Sequence, residues 1–85
     1  MKEFMYEIHD PLGLHARPAG ILSRAAAGFQ SEIRLVYKEQ SVLLRRMIGV
    51  ISLQVKQGEQ VKIQADGDDE EAAIAQLQTV CQESL

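Results

Sequence analysis

The chain is poor in anything that would cross-link it or sink it into a lipid phase. A single cysteine, Cys81, leaves no partner for an internal disulfide, and a reducing compartment, the cytoplasm, is the natural reading. The longest apolar runs, such as Met47 to Ile51, are far too short to span a bilayer, so no direct membrane insertion is expected. Met1-Lys2-Glu3 leads straight into a strand-like segment, which reads as the absence of a signal or transit peptide. Repeats, linkers and low-complexity stretches are missing too, and residues 1–85 read as one domain. A chain of 85 residues buries only about 60–65% of the surface its unfolded form exposes, which excludes a deep catalytic cleft between two domains. The net charge of −3 speaks against a general nucleic-acid binder.

Charge is instead divided along the chain. Between Arg17 and Arg46 stand six bases (Arg17, Arg24, Arg34, Lys38, Arg45, Arg46) against Glu32 and Glu39. From Glu59 to Leu85 there is one base, Lys62, against seven acids. Two readings are open: a positive face for an anionic partner, or solvated side chains scattered around the fold.

Periodicity lays out seven elements. Glu3 to His9 alternates, with Phe4, Tyr6 and Ile8 on one face, and predicts a half-buried strand. Asp10-Pro11-Leu12-Gly13 predicts a loop. Ala16 to Phe29 predicts a helix whose stripe of Ala19, Leu22, Ala26 and Phe29 faces the core, with Gly28 helping to stop it. Glu32 to Val36 predicts a second strand, Lys38-Glu39-Gln40 a turn, and Val42 and Leu44 a short third strand. Met47 to Leu53 predicts a short helix, and Gln60 to Asp66 a fourth strand with Val61, Ile63 and Ala65 inward. Asp68 and Glu71 have capping-box spacing at the start of a last helix, whose buried stripe is Ala73, Ile74, Leu77, Val80 and Cys81. The order βαββαβα predicts an α+β open-faced sandwich, with three helices on one face of a four-stranded, mainly antiparallel sheet.

Gly13-Leu14-His15-Ala16-Arg17-Pro18-Ala19 carries the chemistry. His15 falls where the loop enters the first helix, and Pro18 is tolerated because first-turn positions need no N–H. The backbone N–H groups of Ala16 and Arg17 point back past the helix start and suit an anion. Arg17 adds a planar, permanently charged donor for phosphate oxygens. The positive end of the helix disfavours the protonated ring of His15, which leaves a neutral nitrogen as a nucleophile. Together these residues describe reversible phosphorylation of an imidazole. An isolated His-x-Arg is more often a helix cap beside a surface charge; here the strand, the glycine loop and the proline-marked helix start supply the context. His9 and His15 with Asp10 make no recognised ligand spacing, and neither a metal nor a cofactor is expected.

A docking face is legible as well. Arg17, Gly20, Arg24 and Ala27 lie at helical spacing opposite the core stripe. Met47, Ile48, Val50, Ile51 and Leu53 are all apolar, and two turns cannot bury every one of them unless the whole small helix is interior. The basic surround of Arg24, Arg45 and Arg46 suits acidic partner surfaces.

The motif at 13–19, followed by Met-Ile-Gly-Val-Ile-Ser-Leu at 47–53 and an acidic start to the last helix, resembles the HPr family of the bacterial phosphoenolpyruvate:sugar phosphotransferase system along essentially the whole chain. The resemblance implies four antiparallel strands with three helices on one side. It implies that His15 accepts a phosphoryl group on Nδ1 from phosphorylated enzyme I and passes it to the A domain of a sugar permease, with Arg17 assisting. It implies docking of both partners through the first helix and through Met47, Ile48 and Ile51, by a monomeric carrier and not by a turnover enzyme.

Two positions depart from the pattern. Arg46 stands where HPr proteins of low-GC Gram-positive bacteria carry a regulatory serine, which implies that the serine switch is absent. Leu12 stands where many relatives have a polar side chain able to hydrogen-bond near the histidine. These departures keep a second reading open: a regulatory adaptor that docks partners through the same face with little or no phosphotransfer.

Overall fold

Clean alternation between two glycines makes the strand Gln60–Asp66, and this strand organises the sheet. The computed structural model describes all residues, 1–85. In chain order the elements are β1 (Lys2–Glu7), α1 (Ala16–Ala27), β2 (Glu32–Tyr37), β3 (Gln40–Leu43), α2 (Met47–Ser52), β4 (Gln60–Asp66) and α3 (Glu70–Ser84). The sheet runs β1-β4-β2-β3, and every pairing is antiparallel, so "mainly" becomes "entirely". Phe4 faces Ile63 and Ile63 faces Leu35 across the ladders, one apolar row through three strands. The alternate row, Met5, Lys62, Val36 and Ser41, faces away from the helices. One hydrophobic cluster of 19 buried residues lies between sheet and helices, including Leu22 and Ala26 of α1, Leu35 of β2, and Leu77 and Cys81 of α3. Burial pushes the Cys81 thiol up to about 12, the behaviour of an inert core residue. No helix is long and apolar enough to cross a membrane.

The boundaries differ from expectation where tertiary partners intervene. β1 stops at Glu7 because β4 begins opposite it, and the His9 N–H turns instead to the Leu85 carbonyl at 3.0 Å. α1 ends at Ala27, two residues before Phe29, as the N–H groups of Gly28 and Phe29 tighten back onto Ala25 and Ala26. β2 runs on to Tyr37, which is buried and donates to the Glu59 carboxylate at 2.6 Å. Leu44 lies past the end of β3 yet is fully buried, its N–H on the Ile33 carbonyl and its own carbonyl accepting from the buried Ser23 hydroxyl of α1 at 2.8 Å.

The capping box expected from Asp68 and Glu71 does not form. Asp69 occupies the N-cap of α3, and its carboxylate reaches back 39 and 38 residues to accept from the N–H groups of Gln30 and Ser31 at 2.8 and 2.9 Å, and from the Ser31 hydroxyl. Glu70 accepts from the Gly67 N–H. Asp69 thus ties the connection between α1 and β2 to the start of α3. The Ser31 hydroxyl first, and then the Gln30 amide, hold its carboxyl below the ordinary aspartate range. A folded-state pKa below the unfolded value gives stability that is present above the unfolded pKa of about 3.9 and is lost as pH falls through the folded one. Asp69→Asn is therefore expected to lower stability at neutral pH and to flatten its acid dependence. Urea denaturation of both proteins at about pH 7 and about pH 3 measures this, and an unchanged acid slope in the variant would show that Asp69 carries none of it.

Candidate functional site

The loop between β1 and α1 is built by one aspartate, one proline and one glycine. Asp10 Oδ1 accepts the Leu12 N–H at 2.9 Å, an aspartate turn that closes over Pro11, which has no N–H to give. The Gly13 N–H returns to the Asp10 carbonyl at 2.8 Å. Gly13 sits at φ +72°, and the chain then drops Leu14 into the core, 3% exposed, with its N–H on the Val55 carbonyl at 2.9 Å. This path delivers His15 to the N-cap of α1 in an extended conformation (φ −89°, ψ −169°), with no side-chain hydrogen bond to the helix.

The first turn of α1 is open. Ala19 is the first residue whose N–H returns to the ladder, at 3.0 Å from the His15 carbonyl. Pro18 has no N–H, and those of Ala16 and Arg17 find no acceptor in the protein. Two free donors at the positive end of a three-turn helix make an anion cradle immediately beside His15. No acidic residue lies in that turn to occupy it.

Asp10 completes the site, and the sequence reading did not place it there. Its Oδ2 lies 3.3 Å from His15 Nε2 and 3.3 Å from Arg17 Nη2. The Asp10 side chain is 14% exposed, against 30% for His15 and 61% for Arg17. The Leu12 N–H first, then the hydrogen bond and charge of His15 and the charge of Arg17, keep the Asp10 carboxyl below the usual carboxylate range, so it is ionised at neutral pH. An ionised carboxylate only accepts, so a neutral His15 ring bonded to it carries its proton on Nε2 and leaves the lone pair on Nδ1, which has no partner in the protein. The signal for Asp10 was an aspartate two residues ahead of a free amide. Its link to His15 depends on the loop path, not on spacing.

His9, by contrast, packs edge-on against Tyr6 with ring centroids 5.8 Å apart and does not meet His15. On the rest of the face, Arg24 and Ala27 are exposed, while Gly20 is covered: a Cβ there would lie 3.3 Å from Met47 Sδ and 3.5 Å from Arg24 Nη1. Gly20 is thus the point at which α2 rides onto α1. In α2, Val50 is fully buried and Ile51 half-buried, and Leu53 beyond it is buried, which leaves Met47 37% and Ile48 73% exposed. Leu12, 75% exposed, adds a third apolar side chain on the loop itself. Arg45 and Arg46 are exposed, with Arg46 at the N-cap of α2.

The chain is similar in sequence and fold to known proteins. The family model described as the PTS HPr component phosphorylation site matches residues 2–83. The phosphocarrier protein HPr of Mycoplasma genitalium is 41% identical over 78 residues, covering 91% of this chain and 89% of that protein. A solved mycoplasmal histidine-containing phosphocarrier protein superposes with a TM-score of 0.95 at 34% identity, covering 98% of this chain and 94% of the other. HPr from Thermoanaerobacter tengcongensis superposes at 0.92 and 41% identity, covering 98% and 93%.

Proposed function

Because this chain belongs to the HPr family of phosphotransferase-system phosphocarriers, we propose that it carries a phosphoryl group on His15, taken from phosphorylated enzyme I and handed to the A domain of a sugar permease. It acts as a covalent relay in the cytoplasm, as a monomer whose working unit is the whole of residues 1–85, and phosphoenolpyruvate is the ultimate donor. The observation that carries this reading is the pair of unpartnered N–H groups at Ala16 and Arg17, directly after a histidine whose Nδ1 is free.

The transfer balances without a cofactor. The Nδ1 lone pair attacks the donor's phosphorus; a P–Nδ1 bond forms as the bond to the donor breaks, its electron pair returning to the donor. The Ala16 and Arg17 amides receive the phosphoryl oxygens, and the Arg17 guanidinium moves onto them from Asp10. The second transfer reverses these steps with the permease domain as acceptor. Docking uses Met47, Ile48 and the exposed part of Ile51 as an apolar contact over Gly20. Arg24, Arg45 and Arg46 around them, with Ala27 at the edge, steer toward acidic surfaces. With arginine at position 46, regulation by serine phosphorylation at that place is lost.

Intact-mass measurement after incubation with phosphoenolpyruvate and enzyme I tests the reading. One acid-labile phosphoryl adduct is the expected result. No adduct, with another HPr labelled normally in parallel, would overturn it in favour of the adaptor that docks without transfer.

A further inference from the structure

We propose that Asp10 is a positioning residue for phosphoryl transfer, one carboxylate oxygen holding the ring of the nucleophile and the guanidinium of the phosphate-binding arginine together. The inference rests on the carrier reading above and goes beyond it by assigning a third side chain to the site.

The carboxylate is itself held. Its Oδ1 is engaged by the Leu12 N–H at 2.9 Å, and the side chain is 14% exposed, so Oδ2 is presented from a closed turn and not from a mobile surface side chain. From there it meets His15 Nε2 and Arg17 Nη2, each at 3.3 Å. These distances are long for charge-assisted hydrogen bonds, as expected when one oxygen serves two donors. The Leu12 side chain takes no part. Its backbone N–H does, by fixing the turn.

Three consequences follow for the reaction. With its Nε2–H on Oδ2, the ring keeps Nδ1 unprotonated and loses a rotational freedom that would otherwise have to be frozen during attack. Once the P–Nδ1 bond has formed, the ring carries a positive charge with its proton still on Nε2, and the adjacent carboxylate stabilises that imidazolium. When the phosphoryl group leaves, the P–Nδ1 pair returns to Nδ1 and the ring departs as a neutral imidazole, so neither step draws a proton from water. Arg17 serves both states as well. It neutralises Asp10 before transfer and moves to the dianionic phosphoryl group after it, which keeps a guanidinium at the site without requiring it to be ordered from solution.

Two variants separate this role from closure of the loop. Asp10→Ser retains a hydroxyl able to accept the Leu12 N–H but carries neither the reach nor the charge to hold the ring. Asp10→Asn keeps its one oxygen for the Leu12 N–H and turns an NH2 donor, not an acceptor, toward His15 Nε2 and Arg17. The readouts are the His15 tautomer, from 15N NMR of ring-labelled protein well above the imidazole titration range, and the rate of transfer from phosphorylated enzyme I. The wild-type ring is expected wholly as the Nε2–H tautomer. Asp10→Ser is expected to show a mixture of tautomers and a transfer rate lower by roughly 10- to 100-fold. Asp10→Asn is expected to push the ring toward the Nδ1–H tautomer and to lower the rate at least as far as serine does. A serine variant with the wild-type tautomer and a rate within about twofold of wild type would overturn the assignment, as would an asparagine variant that keeps both the wild-type tautomer and the wild-type rate. Failure of the carrier reading looks different: the wild-type protein itself would take no phosphoryl group, while the tautomer measurement would still decide whether Asp10 holds the ring.

Discussion

Replacing His15 by alanine is expected to abolish phosphoryl acceptance completely and to leave the fold standing. The ring is 30% exposed and outside the hydrophobic cluster, and it makes no capping hydrogen bond to α1. The helix start is held by other means: Pro18, buried and conformationally preset, the Leu14 N–H on Val55, and Leu14 itself in the core. Thermodynamic stability should therefore shift by no more than about 1 kcal/mol, the range of surface substitutions that open no cavity and strand no buried polar group. Chemically the change is total. The Ala16 and Arg17 amides still form an anion cradle, but an anion resting there forms no covalent bond, and the other imidazole of the chain, His9, is packed edge-on against Tyr6. Intact mass after incubation with phosphoenolpyruvate and enzyme I should show no adduct, while urea denaturation should give a midpoint near that of the parent. A persisting acid-labile adduct would move the acceptor to another residue, and an unfolded variant would give the ring a structural role that its exposure denies.

Much of this was readable from the chain because it is local. β4 was delimited to the residue, since seven polar and apolar positions, Gln60 to Asp66, alternate without interruption between Gly58 and Gly67. His15, Ala16 and Arg17 are contiguous, so an open helix start with a histidine at its N-cap followed from spacing and helix geometry. The apolar excess in Met47 to Leu53 announced that some of it must be left outside, and packing then chose: Val50 and Leu53 went in, Met47 and Ile48 stayed out. What could not be read is what the chain builds over distance. Asp69 reaches Ser31 across 38 residues and displaces a capping box that looked complete in one dimension. Asp10 meets His15 only because the loop turns through one left-handed residue, and periodicity carries no record of that. At position 12 the backbone takes part and the side chain does not: Leu12 gives its N–H to Asp10, and Asp10 gives the carboxylate to the ring.

That one left-handed residue also predicts the most damaging single methyl group in the site. Gly13→Ala is expected to destabilise the protein by about 2 kcal/mol or more and to cripple transfer in whatever fraction stays folded. At φ +72° an alanine pays for its Cβ in any surroundings, and here the surroundings are closed. The added carbon would stand 2.4 Å from the Val55 carbonyl oxygen and 3.0 Å from Lys56 Cα, both backbone atoms with no rotamer to change. The same Val55 oxygen accepts the Leu14 N–H at 2.9 Å, so relieving the clash means lengthening the bond that seats Leu14 in the core and aims His15 at the helix start. Asp10, whose carbonyl takes the Gly13 N–H, moves with it. In a domain of this size, with total stability of only about 5–10 kcal/mol, such a loss lowers the thermal midpoint by ten degrees or more. Two measurements read it: the urea midpoint against wild type, and the tautomer and transfer rate of His15 under conditions where the variant is still folded. Gly20→Ala is the internal comparison, because there the added methyl meets the flexible end of Met47 at 3.3 Å in a helical conformation. It should cost little or even stabilise the helix, by up to about 1 kcal/mol. If both alanines behaved alike, the left-handed turn at Gly13 would not be what positions the histidine.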